Sequence, residues 1–179
     1  MRIADLDFIM VPEWLARPDG REPDDDHWIS RWQRNISTAS WLDTRDLSPP
    51  DALLSQCSEN ARPTVIISHG HGIDVILNST AELAKTSLVG GFIVAPVPTG
   101  DWLDPPSDSA LPLGFPSVII APDDHPDLSV AAAQSLSDTI GSHYVAAGPT
   151  GRIDAASGQG PWPEGLLRLG WFLKRLSAH

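Results

Sequence analysis

The sequence predicts an α/β fold: a three-layer sandwich of about six mostly parallel strands with helices on both faces. Two observations carry this. Short β-branched apolar runs recur along the chain, several with no charged residue at all, as expected of strands buried on both sides. They alternate with helical stretches, the pattern that places helices over a parallel sheet. The chain has 179 residues, no internal repeat and no long linker, so residues 1–179 are expected to form one domain.

Asp7–Val11 (DFIMV) reads as the first strand, and Trp41–Thr44 as a weaker second. Leu53–Ser58 is placed in a helix. Thr64–Ser68 (TVIIS) is a third, fully buried strand, followed by a helix at Gly72–Leu83 and a fourth strand at Phe92–Ala95. Ser117–Ala121 (SVIIA) is the fifth strand, Val130–Ile140 a helix and His143–Ala146 the sixth strand. Trp162–Leu176 closes the chain as an amphipathic helix with Pro161 and Pro163 at its start, where proline is tolerated. Between strands four and five, Pro96–Gly114 holds five prolines and Trp102. That length after a strand end suits a small lid as well as a stiff surface crossing.

Twelve Lys and Arg stand against 23 Asp and Glu, a formal charge of −11 and a pI near 4.7. Sequence-independent nucleic-acid binding needs clustered cations, and no such cluster exists here. The opening MRIADLDFIMVPEW lacks the pattern of a secretory signal, and no apolar run approaches the roughly 18 residues of a membrane span. A single cysteine, Cys57, makes neither an internal disulfide nor a thiolate zinc site and suits a reducing compartment. The expectation is a cytoplasmic, bacterial-type protein without a cofactor, acting on a small molecule, with neither nucleic acid nor membrane as partner.

Ligands of open α/β sheets bind at the carboxyl ends of the strands, so the loops there come next. Thr64-Val-Ile-Ile-Ser-His-Gly-His-Gly72 is a buried strand, a glycine-rich sharp turn and a helix start, the context of a nucleophile elbow. In the frame Ser68-His69-Gly70-His71-Gly72 the nucleophile's place falls on Gly70. Ser68, at the end of a buried strand, lacks the exposure of an elbow residue.

Three segments resemble the small α/β-hydrolase-fold serine hydrolases typified by retinoblastoma-binding protein nine and its bacterial relatives. Asp26-His27-Trp28 with Ser30-Arg31-Trp32 is similar to the D-H-W-x-x-R-W stretch of that family. Ser68–Gly72 is similar to its [AG]-H-S-x-G elbow, and Ala156–Gly165 (ASGQGPWPEG) to its x-S-G-x-G-P-W-P-E-G signature. The resemblance implies an α/β-hydrolase-like three-layer sandwich. Carried over residue by residue, it places the catalytic serine on Gly70, the aspartate on His125 and the histidine on Arg152. The glycine beside the family's oxyanion hole falls on Glu13.

From these replacements the sequence reading expects a non-hydrolytic enzyme. It would use acid/base and oxyanion chemistry for cyclisation, isomerisation or a lyase reaction of a small organic metabolite, as in natural-product biosynthesis. His125 is expected to transfer protons, Arg152 to hold an anionic oxygen, and His71 and Glu13 to assist. Gly70, Trp14, His27 and Trp102 are expected to line the substrate pocket. His69 is expected to pack or hydrogen-bond, Trp32 and Trp162 to sit in the core, and Asp123 and Asp124 are candidates to orient His125. The rival expectation is a catalytically inactive pseudo-hydrolase that binds a ligand or a protein. His69-Gly-His71 with Asp74 also resembles the H-x-H-x-D-H zinc motif of metallo-β-lactamases, but Ile73 interrupts the spacing.

Overall fold

The computed structural model describes residues 2–16, 25–99 and 112–177. Six strands among them form one sheet: β1 (Asp7–Val11), β2 (Ala39–Trp41), β3 (Thr64–His69), β4 (Leu88–Val94), β5 (Ser117–Ala121) and β6 (His143–Ala146). Their order is β2-β1-β3-β4-β5-β6, and every neighbouring pair is parallel. The chain steps outward from β1 to β2 and then returns past β1 to β3. That reversal opens a crevice at the carboxyl ends of β1 and β3.

Alternation along the strands builds two cores. Ile9, Val11, Ile66, Ile93 and Ile119 face one side, against Leu53 and Cys57 of α2 (Pro49–Glu59), Ile76 of α3 (Ile73–Leu77) and Leu136 and Ile140 of α5 (Val130–Ile140). Phe8, Met10, Val65, Ile67 and Phe92 face the other, against Trp28 and Trp32 of α1 (Trp28–Asn35) and Leu169 and Phe172 of α6 (Pro163–Leu176). The two cores account for the uncharged strand runs. No helix among the described residues is long and apolar enough to cross a membrane.

Side-chain oxygens cap α2 and α5: Ser48 accepts from Asp51 N and Ser129 from Ala132 N. The ASGQGPWPEG signature is explained by packing. Trp162 adopts φ +39 immediately before α6, stacks on Trp32 at 5.7 Å and lies 4.9 Å from Trp28. Gly165 makes room for that indole, since a Cβ there would meet its Cε3 at 2.1 Å.

Several expected boundaries are corrected. The helix expected at Gly72–Leu83 is a 3₁₀ turn (Gly70–Gly72), α3 and a separate α4 (Thr80–Leu83). The break falls where Asn78 Nδ2 donates to Asp74 O and Ser79 Oγ to Val75 O, both at 2.7 Å, so side chains occupy carbonyls near the helix end. Strand β4 begins at Leu88, earlier than expected, because Gly90 and Gly91 lie in it to admit Phe172, Leu176 and Phe115. Strand β2 is Ala39–Trp41 rather than Trp41–Thr44, and α1 lies in a stretch to which the sequence reading assigned no element. Residues 100–111 of the expected lid lie outside the described residues, as does Trp102.

Candidate active site

Two tight turns meet at the β1/β3 crevice. After β1 the chain enters a 3₁₀ turn, Glu13–Ala16, which carries Glu13 and Trp14; after β3 it enters the turn Gly70–Gly72. Glycine is required twice in the second turn. At Gly72 a Cβ would lie 2.2 Å from Val11 O, so the turn can press against the end of β1 only without a side chain. Gly70 has φ +56, and a Cβ there would lie 2.6 Å from Oε2 of Glu13. The Glu13 carboxylate thus fills the volume into which a side chain at residue 70 would project.

His69 lies directly beneath. It is 2% exposed, and its Nε2 donates to Arg152 O at 2.9 Å, so in the neutral ring the unprotonated nitrogen is Nδ1. Nδ1 faces Glu13 Oε2 at 3.8 Å and has no hydrogen-bond partner among the described residues. Burial pushes the His69 imidazole below its ordinary value, against the opposing pull of Arg152 O, Glu13 and Asp154. The His27 ring lies 4.7 Å from that of His69, and its Nδ1 accepts from Ile29 N, capping α1. Trp14 packs edge-on to Trp41 at 5.5 Å and to His27 at 6.3 Å.

His125 and Arg152 occupy the rim formed by the loops after β5 and β6. His125 Nδ1 accepts from Asp127 N at 3.1 Å, which leaves the neutral ring's proton on Nε2. Burial first, and the Arg152 charge second, push this imidazole down. The Arg152 guanidinium is paired with the Asp127 carboxylate. Asp124 accepts from Gly151 N at 2.8 Å and so ties the two loops together instead of orienting His125.

Of the residues expected to share a pocket, Glu13, Trp14, His27, His69 and Gly70 come together at the crevice. The His71 ring turns away to donate from Nδ1 to Val97 O at 2.7 Å. Sequence reasoning missed the pairing of Arg152 with Asp127 and the opposition of Glu13 to His69, since no local pattern marks contacts between such distant segments. The zinc-motif resemblance finds no support in the geometry: His69 Nε2, His71 Nδ1 and both Asp74 oxygens are engaged in hydrogen bonds. No group of three or more potential ligands among the described residues is placed to hold a metal ion.

The family model for serine hydrolases matches residues 9–171. Among solved structures, one assigned as a YdeN-like hydrolase from Pectobacterium atrosepticum is 26% identical with a TM-score of 0.78, covering 97% of this chain and 93% of its own. The ydeN gene product of B. subtilis is 15% identical with a TM-score of 0.65, covering 94% and 98%. An α/β superfamily hydrolase from Oenococcus oeni is 12% identical with a TM-score of 0.63, covering 96% and 93%. The last two show the fold, an α/β-hydrolase architecture. No curated protein matches the sequence significantly.

These findings correct the functional expectation. A non-hydrolytic cyclase, isomerase or lyase, and its rival, an inactive binding protein, were inferred from the replacement of all three catalytic positions that the resemblance implied. The family match instead spans nearly the whole chain, and the 26%-identical neighbour is itself assigned as a hydrolase. On that match, the chain belongs to the serine hydrolase family.

Proposed function

We propose that the protein hydrolyses small carboxylic esters, with the Glu13 carboxylate activating the attacking water above Gly70. One observation carries this reading: Glu13 Oε2 lies 2.6 Å from the Cβ position of residue 70, where the elbow of such a hydrolase aims its reacting group. The Glu13 side chain is 19% exposed, so solvent reaches it, while His69 behind it is buried.

Glu13 takes a proton from water as the water oxygen adds to the acyl carbon. The protonated carboxyl then faces the unprotonated Nδ1 of His69, 3.8 Å away in the resting structure, which accepts from it as the two close up. Gly70 O accepts from Val97 N at 3.1 Å. In a trans peptide the following N–H points the opposite way, so the His71 amide is aimed away from Val97 as a donor for the developing oxyanion. Collapse expels the alkoxide. It receives the proton from Glu13 while His125 Nε2–H hydrogen-bonds the leaving oxygen, giving one acid and one alcohol. Arg152 neutralises Asp127 at the rim, and the partly exposed Trp14 offers aromatic surface to the acyl group.

The retinoblastoma-binding-protein-nine-like segments at 26–32, 68–72 and 156–165 support placing the chain in that branch of the family. A single cysteine, Cys57, which can make no internal disulfide, supports a reducing, cytoplasmic setting. The test is turnover of a panel of short-chain p-nitrophenyl esters, with parallel exposure to a serine-directed fluorophosphonate. Ester turnover without covalent labelling is expected. Stoichiometric labelling of a serine, or no turnover of any ester, overturns the reading.

A further inference from the structure

Asp74 has no part in the chemistry described above, yet it is a carboxylate only 9% exposed. Such burial is costly unless its oxygens are well hydrogen-bonded. Both oxygens are engaged by one residue: Thr99 N donates to Oδ1 at 3.0 Å and Thr99 Oγ1 to Oδ2 at 2.7 Å. Two residues upstream, Val97 is bound to the turn from both of its backbone groups, N to Gly70 O at 3.1 Å and O from His71 Nδ1 at 2.7 Å. Four hydrogen bonds thus strap residues 97–99 across residues 70–74.

We propose that Asp74 and Thr99 form a clamp that positions the Gly70–His71 peptide for oxyanion stabilisation. Fixing Thr99 fixes Val97. Val97 N then holds the Gly70 carbonyl, and the plane of that peptide sets the direction of the His71 amide. Asp74 is therefore a positioning residue that acts through the strap and touches no reacting atom. Without the clamp the Gly70 carbonyl keeps only the Ile73 N–H of its own 3₁₀ turn, so the peptide plane is less firmly set, which weakens a contact made in the transition state and leaves ground-state binding alone.

The inference rests on the hydrolytic reading for its kinetic consequence, whereas the clamp itself is measurable without turnover. Amide hydrogen exchange at Val97 and Thr99 and ester kinetics are measured on the full chain for the parent protein, T99V, T99S and D74A. In T99V and D74A the Val97 amide is expected to exchange about tenfold faster or more, the effect of losing a bond of ordinary strength. The accompanying kcat is expected to fall by about 10- to 100-fold with KM within about twofold, as for a displaced catalytic group. T99S, which keeps the hydroxyl, retains both values. Unchanged Val97 protection in T99V overturns the clamp, as does a fall in activity that appears in KM alone. If D74A does not fold, T99V against T99S decides. A parent protein without esterase activity refutes the hydrolytic reading, and the exchange data then decide the clamp by themselves.

Discussion

The Glu13 carboxylate and the His69 imidazole oppose each other at 3.8 Å, two acceptor groups face to face, because the Nε2 proton of His69 is committed to Arg152 O. Glu13 arrives from the turn after β1 and His69 from the end of β3, so the contact exists only because these strands pair in register, Val11 beside Ser68. A proton taken up by Glu13 during catalysis would face the unprotonated Nδ1 of His69.

Glycine at residue 70 and glutamate at residue 13 are expected to be energetically coupled. G70S strains a left-handed backbone and drives a side chain into the Glu13 carboxylate, so it should lose about 1–3 kcal/mol in urea denaturation. Removing the obstruction in E13G/G70S should restore about 1–2 kcal/mol beyond additivity. Additive losses would mean that the two residues do not share this volume.

Acid should destabilise the protein from an unusually high pH. His69 is buried neutral, and its value and that of His125 are pushed down from 6.5 by burial. The unfolded chain therefore takes up protons near pH 6.5 while the folded chain does not. Stability is at its plateau above that pH and falls as pH drops toward the folded values, with a limiting slope of about 1.4 kcal/mol per pH unit per histidine. Ester hydrolysis should keep its acid limb below the ordinary histidine range, since protonation of His69 removes the acceptor for Glu13. Denaturation midpoints and kcat/KM from pH 4.5 to 8 check both. H69Q should flatten the stability profile.

Trp28→Phe should cost about 1–3 kcal/mol, because it leaves the buried Ile153 carbonyl without the indole N–H that reaches it at 2.8 Å. Ile153 is β-branched and fully buried with φ +51, a conformation held from both sides by Trp28 and by the bond of His69 to the preceding carbonyl. Denaturation of W28F, with loss of activity through a displaced His69, is the check. A variant as stable as the parent would show that the ring packing alone holds this loop.

Strands β1, β5 and β6 and helix α5 match their expected boundaries because each is an uninterrupted apolar or amphipathic run between turn residues. Strand β2 was misplaced because three partly exposed residues at a sheet edge carry almost no periodic signal. Strand β4 begins in glycines whose role is set by Phe115, Phe172 and Leu176, residues distant in sequence. At the site, Gly70 came from the elbow pattern and Glu13 and His27 from the family resemblance, and the structure brings Glu13 against Gly70 and His27 against His69. Their chemistry was not legible in the sequence: the commitment of Arg152 to Asp127 and of His69 to Arg152 O arises from loops joined only by the fold. Substitutions read one position at a time pointed away from hydrolysis, whereas the match across residues 9–171 points to it.

Glutamine at residue 13 keeps the shape of the side chain but cannot take a proton from water, so the kcat ratio between the parent protein and E13Q on a short-chain p-nitrophenyl ester tests the central claim most directly. A base that activates water predicts a fall of about 10²- to 10⁴-fold, with a thermal midpoint within a few degrees of the parent. An E13Q enzyme that hydrolyses the ester within about twofold of the parent rate contradicts the assignment.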